Sequence, residues 1–312
     1  MIALSEIWSA LVLEAEREGV AHLGASVLQD EHRDVFADWI ARGHHASMAY
    51  LEKSMATRLD PATRFRWARS VVVIAVPYAS ARPPAPSGAL SSHIARYALG
   101  DDYHEVLDGI LRRLEAIIRA GDPDVVTRRY VDTGPLSDRA MGAQAGLGWI
   151  GRNGMLIDPE RGSWFFIGTL LTSLWNDIAV NEVADRCGSC TRCVDACPTD
   201  AILPDRTIDS GSCISYGTIE HRGSLPADMA QRLEGNVFGC DICQEVCPWN
   251  QTPPDPHPSF EPREIYRATP VSDLLRFQPG DFSTLFRKSA IKRAKLSGMV
   301  RNVEAVVGES TR

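Results

Sequence analysis

No cysteine occurs before Cys187, and no apolar run approaches the ~20 residues that a membrane-spanning helix needs. The N-terminal segment, MIALSEIWSALVLEAEREG, carries acidic residues and has neither a basic leader nor a small-residue cleavage site. It reads as an amphipathic helix and not as a signal peptide, and no twin-arginine signal is present. These absences predict a soluble cytoplasmic protein with no membrane attachment. The chain has no excess of positive charge either: its net charge is −7, so any nucleic-acid affinity has to come from a local basic surface. The glycines of AGLGWIGRNG (145–154) lack the G-x-G-x-x-G spacing of a dinucleotide loop. They suit a tight turn, or a close backbone approach to a flat cofactor.

All eight cysteines fall between Cys187 and Cys247. A chain of 312 residues buries enough surface to fold without covalent staples, so this crowding points to metal rather than disulfides. Cys187-x2-Cys190-x2-Cys193-x3-Cys197-Pro198 is the bacterial ferredoxin run, whose fourth cysteine serves the other cluster of a pair. Cys240-x2-Cys243-x3-Cys247-Pro248 lacks one thiol of a second run, and only Cys213 remains to complete it. The crossover rule assigns Cys187, Cys190, Cys193 and Cys247 to one [4Fe-4S] cluster, and Cys197, Cys213, Cys240 and Cys243 to the other. CxxC pairs also bind zinc, but zinc ribbons have no counterpart of the triple run followed by x3-Cys-Pro. Two clusters carry electrons, so a second redox centre is expected.

Ahead of the cysteines, helix and strand alternate. Residues 1–19 and 30–55 read as helical, and SVVVIAVPYA (70–79) as a buried strand. Residues 81–89 form a proline-rich loop. Val106, Ile110, Leu114 and Ile117 mark a helix over 102–120 that ends at Gly121. Strands are expected at 125–132, 155–158 and 163–171, with a short helix at 137–146. The reading is an α+β or α/β protein in three parts: an α/β domain at 1–180, a ferredoxin-like two-cluster domain at 181–255, and a short helical C-terminal tail at 256–312, entered through PPDPHP (253–258). Lys288, Lys292 and Lys295 are expected on one face of a tail helix.

Five segments carry a resemblance. VDTGPLSDRAMGAQAGLGWIGRNGMLI (131–157), RGSWFFIGTLL (161–171), CGSCTRCVDACPTDAI (187–202), SCISYGTIEHRG (212–223) and GCDICQEVCPWN (239–250) resemble the epoxyqueuosine reductases. The resemblance implies a cobalamin-binding domain related to the reductive dehalogenase core. It also implies an activity: reduction of the epoxide of epoxyqueuosine, at the wobble position of tRNA, to queuosine. The electrons would come from an external low-potential donor through the two clusters. The short Asp-x-His-x-x-Gly motif that supplies a histidine to cobalt in many B12 proteins is missing, so a base-off cofactor without a protein ligand from below is implied. A monomer is expected.

The resemblance makes Asp132, at the end of an expected strand, the proton donor, and a carboxyl held neutral by burial suits that task. It maps corrin contacts onto Arg58, Tyr97, Asp132, Met155, Gly168, Ser215, Tyr216 and Asp241. Glu220, His221 and Arg222 are implied to meet the modified base and its backbone. Lys288, Lys292, Arg293 and Lys295 of the basic tail, and Arg192, are candidates for phosphates. A soluble reductive dehalogenase and a two-cluster electron carrier are the rival readings.

Overall fold

The computed structural model describes residues 2–28, 33–79 and 85–309. Parts of the expected 30–55 helix, of the proline-rich loop and of the tail lie outside the described residues. The central sheet has four strands in the order β1-β2-β6-β3: β1 (His22–Val27), β2 (Ser70–Pro77), β3 (Thr127–Tyr130) and β6 (Phe165–Thr172). Every pair is antiparallel, with Val73 opposite Gly24 on one side and Thr169 on the other. The alternation of helix and strand is as read, but it builds no parallel crossover. Strand β1 carries only six residues and a glycine, and its pattern gave no signal in the sequence.

Strand β2 is buried along its whole length because both faces of the sheet are covered. Val72, Ile74 and Val76 meet the helices Ser5–Arg17 and Tyr103–Gly121 on one side. Val71, Val73 and Ala75 meet the helix Asp138–Gln144 and Phe65 on the other. That explains why the strand reads as a continuous apolar run although its neighbours are antiparallel. The long helix buries Leu107, Ile110, Leu111, Leu114 and Ile118, a face rotated slightly from the expected one; Val106 and Ile117 sit at its margin.

Two short strands, β4 (Trp149–Ile150) and β5 (Leu156–Ile157), form a separate hairpin. Gly148 is required there: a Cβ would lie 2.0 Å from the Ile157 carbonyl oxygen. The close approach that glycine permits is to the neighbouring backbone, and Gly146, at φ +80°, makes the turn before it.

The tail is helical, ending in Lys295–Glu309, and it shares a core with residues 90–99 and 214–238 through Phe286, Ile291, Met299 and Val303. It does not form the single basic helix expected. Ala290–Ala294 is a tight 3-10 turn, Lys288 and Lys295 both have positive φ, and Lys288 pairs with Glu105 at 3.0 Å. Lys288 therefore does not share a helical face with Lys292 and Lys295. Among the described residues no helix is long and apolar enough to cross a membrane.

Candidate active site

Asp132 follows β3 directly, in a left-handed conformation (φ 57°) that is strained for a non-glycine residue. The turn after it is held by Arg58, whose guanidinium donates to the carbonyls of Leu136 (2.5 Å) and Gly134 (3.0 Å), with Nε bonded to Ser54 Oγ at 3.0 Å. Arg58 acts here on the aspartate loop, a role that the corrin assignment did not foresee.

The start of the long helix meets Asp132 from across the sheet. Asp102 caps that helix, accepting from the His104 backbone N–H (3.1 Å) and bonding His104 Nδ1 (2.7 Å). The Tyr103 hydroxyl donates to Asp132 Oδ2 at 2.8 Å, and His104 Nε2 stands 3.7 Å from the same oxygen, an ion-pair distance. Tyr103 is fixed between two rings, Phe166 at 4.4 Å and His104 at 4.1 Å. The sequence reading missed Tyr103 and His104. The available signal was an aspartate N-cap with a histidine two residues on.

Asp132 lines a recess: 66 % of its side-chain surface is open, yet protein crowds its other sides. Burial works to raise its carboxyl, but His104, the Tyr103 hydroxyl and the charge of Arg58 outweigh it and hold the group below the usual carboxylate range. The expectation of an aspartic acid kept neutral by burial is therefore corrected. For His104, burial opposes the charge, but Asp102 and Asp132 push the imidazole up to about 9. The proton that the sequence placed on Asp132 resides at neutral pH on its neighbour. Asp138 is the carboxyl that burial does raise, to about 7, with the Asp132 charge adding to the effect.

The other candidates gather unequally. Half-buried Tyr97 is pushed up first by burial and then by the charges of Asp132, Asp241 and Glu220, which therefore converge around it. Asp241 is buried and accepts from the Arg96 backbone N–H at 2.8 Å. Tyr216 is buried, with its hydroxyl 2.6 Å from Ser47 Oγ, while Ser215 and Met155 are half-buried. A Cβ at Gly168 would meet Ile74 and Leu111 at 3.0 and 3.2 Å, in the core beneath the sheet. Its small size serves packing between strand and helix.

On the tail side, Arg293 forms a two-pronged pair with Glu220, both bonds at 2.8 Å. Arg222 is engaged with the carbonyls of Ile219 (2.8 Å) and Arg293 (3.0 Å), and His221 Nε2 with Ser224 O (2.8 Å). Arg301, which the sequence reading passed over, ties this loop down through the carbonyls of Gly217, His221 and Gly223. Arg222, Arg293, Glu220, Lys292 and Lys295 line a cavity of about 470 Å³ together with Ser47, Met48 and Tyr50. Arg192 lies apart from it, exposed at the start of the short helix Arg192–Asp195.

None of the eight cysteines is joined in a disulfide. Burial raises Cys247, and the thiols that add to this are Cys187 and Cys190; for Cys193 they are Cys247 and Cys187. Burial pushes Cys240 up to about 12, with Cys213 and Cys197 contributing, and Cys243 is raised by burial, then by Cys240, Cys213 and Cys193. The thiol–thiol influences thus run mostly between cysteines that the spacing assigns to the same cluster, with Cys193 acting on Cys243 across the two sets. Such crowding of groups that must lose protons suits a cationic iron cluster in each quartet. N–H groups already face two of the sulfurs: the Ala201 backbone donates to Cys197 Sγ at 3.3 Å, and the Trp149 indole to Cys187 Sγ at 3.5 Å.

The recess fits a flat polar-edged group. Asp138 Oδ1 is enclosed near Asp132, Arg58 and Arg139 without a hydrogen-bond partner, a vacancy that carboxamide groups of a corrin would fill.

Comparison with known proteins gives a consistent relationship. Residues 58–133 match the family described as epoxyqueuosine reductase QueG, DUF1730, and residues 186–250 the 4Fe-4S double cluster binding domain. An epoxyqueuosine reductase of Leadbetterella byssophila is 39 % identical over 291 residues, covering 91 % of this chain and 92 % of that protein. The crystal structure of an epoxyqueuosine reductase with an epoxyqueuosine-modified tyrosine tRNA stem loop superposes with a TM-score of 0.90 at 29 % identity, covering 98 % of this chain and 82 % of that one. A Bacillus subtilis epoxyqueuosine reductase, solved with its aspartate-bearing catalytic loop swung out of the active site, gives 0.88 at 28 % identity and the same coverage.

Proposed function

The chain belongs to the epoxyqueuosine reductase family, and from that premise we infer how its own residues carry the reaction. The protein reduces epoxyqueuosine in tRNA to queuosine. Both carbon–oxygen bonds of the epoxide break, two electrons and two protons are taken up, the oxygen leaves as water, and a cyclopentene remains. Cobalamin, when bound, supplies the strongly reducing centre, and the two [4Fe-4S] clusters supply its electrons from an external low-potential donor.

Arg58, Tyr97, Met155, Ser215, Tyr216 and Asp241 would hold the corrin in the recess, base-off. Of these, Tyr216 lies three residues after Cys213 and Asp241 between Cys240 and Cys243, so they would set the corrin beside the cluster assigned to those cysteines. Asp132 faces the substrate. Its carboxylate orients the reacting oxygen and passes on a proton drawn from the His104 imidazolium, while Tyr103 fixes the carboxylate in place. This keeps Asp132 as the group that delivers the proton, with His104 as the reservoir. The pairing of Asp132 with Tyr103 and His104 is the observation that carries this reading. The swinging aspartate loop of the Bacillus relative supports it. Glu220, His221, Arg222, Lys292, Arg293 and Lys295 border the tRNA, and Lys288 and Arg192 are more distant phosphate contacts. The protein works in the cytoplasm as a monomer.

The test is mass spectrometry of the wobble nucleoside after incubation of epoxyqueuosine tRNA with cobalamin-loaded, reduced protein. Loss of one oxygen atom is expected. Asp132→Asn should retain both clusters and bound cobalamin and lose turnover by ~100-fold or more, the usual scale for a general acid. Near-normal turnover of that variant moves the proton delivery elsewhere.

A further inference from the structure

The cavity beside the tail contains one residue that the sequence motifs do not point to. Tyr50 lies in the short helix Ala49–Lys53 and keeps 47 % of its surface exposed, unusual for a large ring in this protein. It lies at a cavity that four cations line, Arg222, Lys292, Arg293 and Lys295, with Glu220, Ser47 and Met48 making up the rest. Arg293 sits over the ring, 5.9 Å from its centroid, and is itself held by Glu220. Among the described residues, Lys292 and Lys295 of the same cavity make no ion pair.

The platform is anchored. Just before Tyr50, the Ser47 backbone N–H and hydroxyl bond Tyr216 Oη at 3.1 and 2.6 Å, on the helix that follows Cys213. The Tyr50 hydroxyl is turned onto Met48 Sδ at 3.3 Å. Burial raises the Tyr50 phenol, and the carboxylates of Glu220 and Asp132 add to this, so the ring lies within electrostatic reach of the aspartate that faces the substrate. After Tyr50 the chain reaches Ser54, which accepts from Arg58.

We propose that Tyr50 is a stacking platform for the unpaired anticodon-loop nucleotide next to the wobble position, whose phosphates are met by Lys292 and Lys295. This rests on the reading that tRNA is the substrate, and it names where a second nucleotide of that substrate sits. Single-stranded loops are recognised by splaying bases onto aromatic faces while cations follow the backbone. A cavity of about 470 Å³ is large enough for one nucleotide. Arg293 on the ring strengthens the platform from the protein side. With that neighbour seated on Tyr50, the wobble nucleoside is left free to enter the recess over Asp132.

The experiment uses an epoxyqueuosine-bearing anticodon stem-loop with 2-aminopurine at the nucleotide before or after the wobble position, titrated with full-length protein. Wild type should quench the probe at one of the two positions. Tyr50→Phe should keep the quench. Tyr50→Leu should abolish it and weaken binding roughly five- to 100-fold with the salt slope unchanged. Lys292→Glu with Lys295→Glu should flatten the salt slope and keep the quench at saturation. Unaltered cluster absorbance verifies that each variant is folded. If wild type binds the stem-loop but quenches neither probe, or Tyr50→Leu binds as tightly as wild type, Tyr50 is no platform and the tRNA reading stands. If wild type binds no stem-loop even at low salt, the reading beneath the proposal fails instead.

Discussion

His104 stands 3.7 Å from Asp132, and the two hold opposite charges at neutral pH: the imidazole is raised to about 9 and the carboxyl lowered. A proton is therefore stored on His104 over the range where the enzyme works. With reductant in excess, single-turnover formation of queuosine should be flat through neutrality and fall as pH rises through about 9. His104→Gln should remove that limb. A limb in the ordinary carboxylic range would instead return the stored proton to Asp132. The same pair contributes to stability. The share of His104 is complete below its ordinary value of 6.5 and is lost as pH rises through about 9.

Arg58 fixes the aspartate loop through Gly134 and Leu136. Arg58→Met should free that loop and lower turnover by up to ~100-fold, the cost of misplacing a reacting group by about an ångström. Binding of tRNA should change little, so the loss should appear in kcat rather than KM. Arg58→Lys, a point charge without the planar fork, should recover only part of it.

Cys213 is raised first by burial and then by Cys197, and it joins Cys240 and Cys243. Cys213→Ser should therefore damage one cluster alone. Iron should fall to about half, with the spectroscopic signal of the other cluster preserved. Retention of full iron would show that Cys213 is not a ligand and that the crossover assignment is wrong.

Lys292 and Lys295 line the cavity while Lys288 is paired with Glu105. Each contact to a single-stranded phosphate adds about 0.7 to the salt slope of binding. Lys292→Glu with Lys295→Glu should weaken tRNA binding and flatten its slope by about that amount per phosphate lost. Lys288→Glu should do much less. Equal effects from all three would put the lysines on one face after all.

The crowding and spacing of the eight cysteines pointed to two iron–sulfur clusters, because each tight CxxC loop aims its own sulfurs at one centre. The apolar run of β2, the helix Tyr103–Gly121 and the position of Asp132 at a strand end were legible for the same reason: each is a pattern within one segment. What the sequence left open are relations between segments. Strand β1 is short and half polar at its start, so only its pairing with β2 identifies it. The space that Gly168 leaves for Ile74 and Leu111 shows only once strand and helix are packed. The tail lysines obeyed helical spacing until Lys295 turned to positive φ. The charge of Asp132 could not be read at all. It depends on a hydroxyl and an imidazole that arrive from the start of another helix, and on Arg58, brought from earlier in the chain. Burial alone would raise that carboxyl, and it is these partners, gathered by the tertiary structure, that reverse the direction.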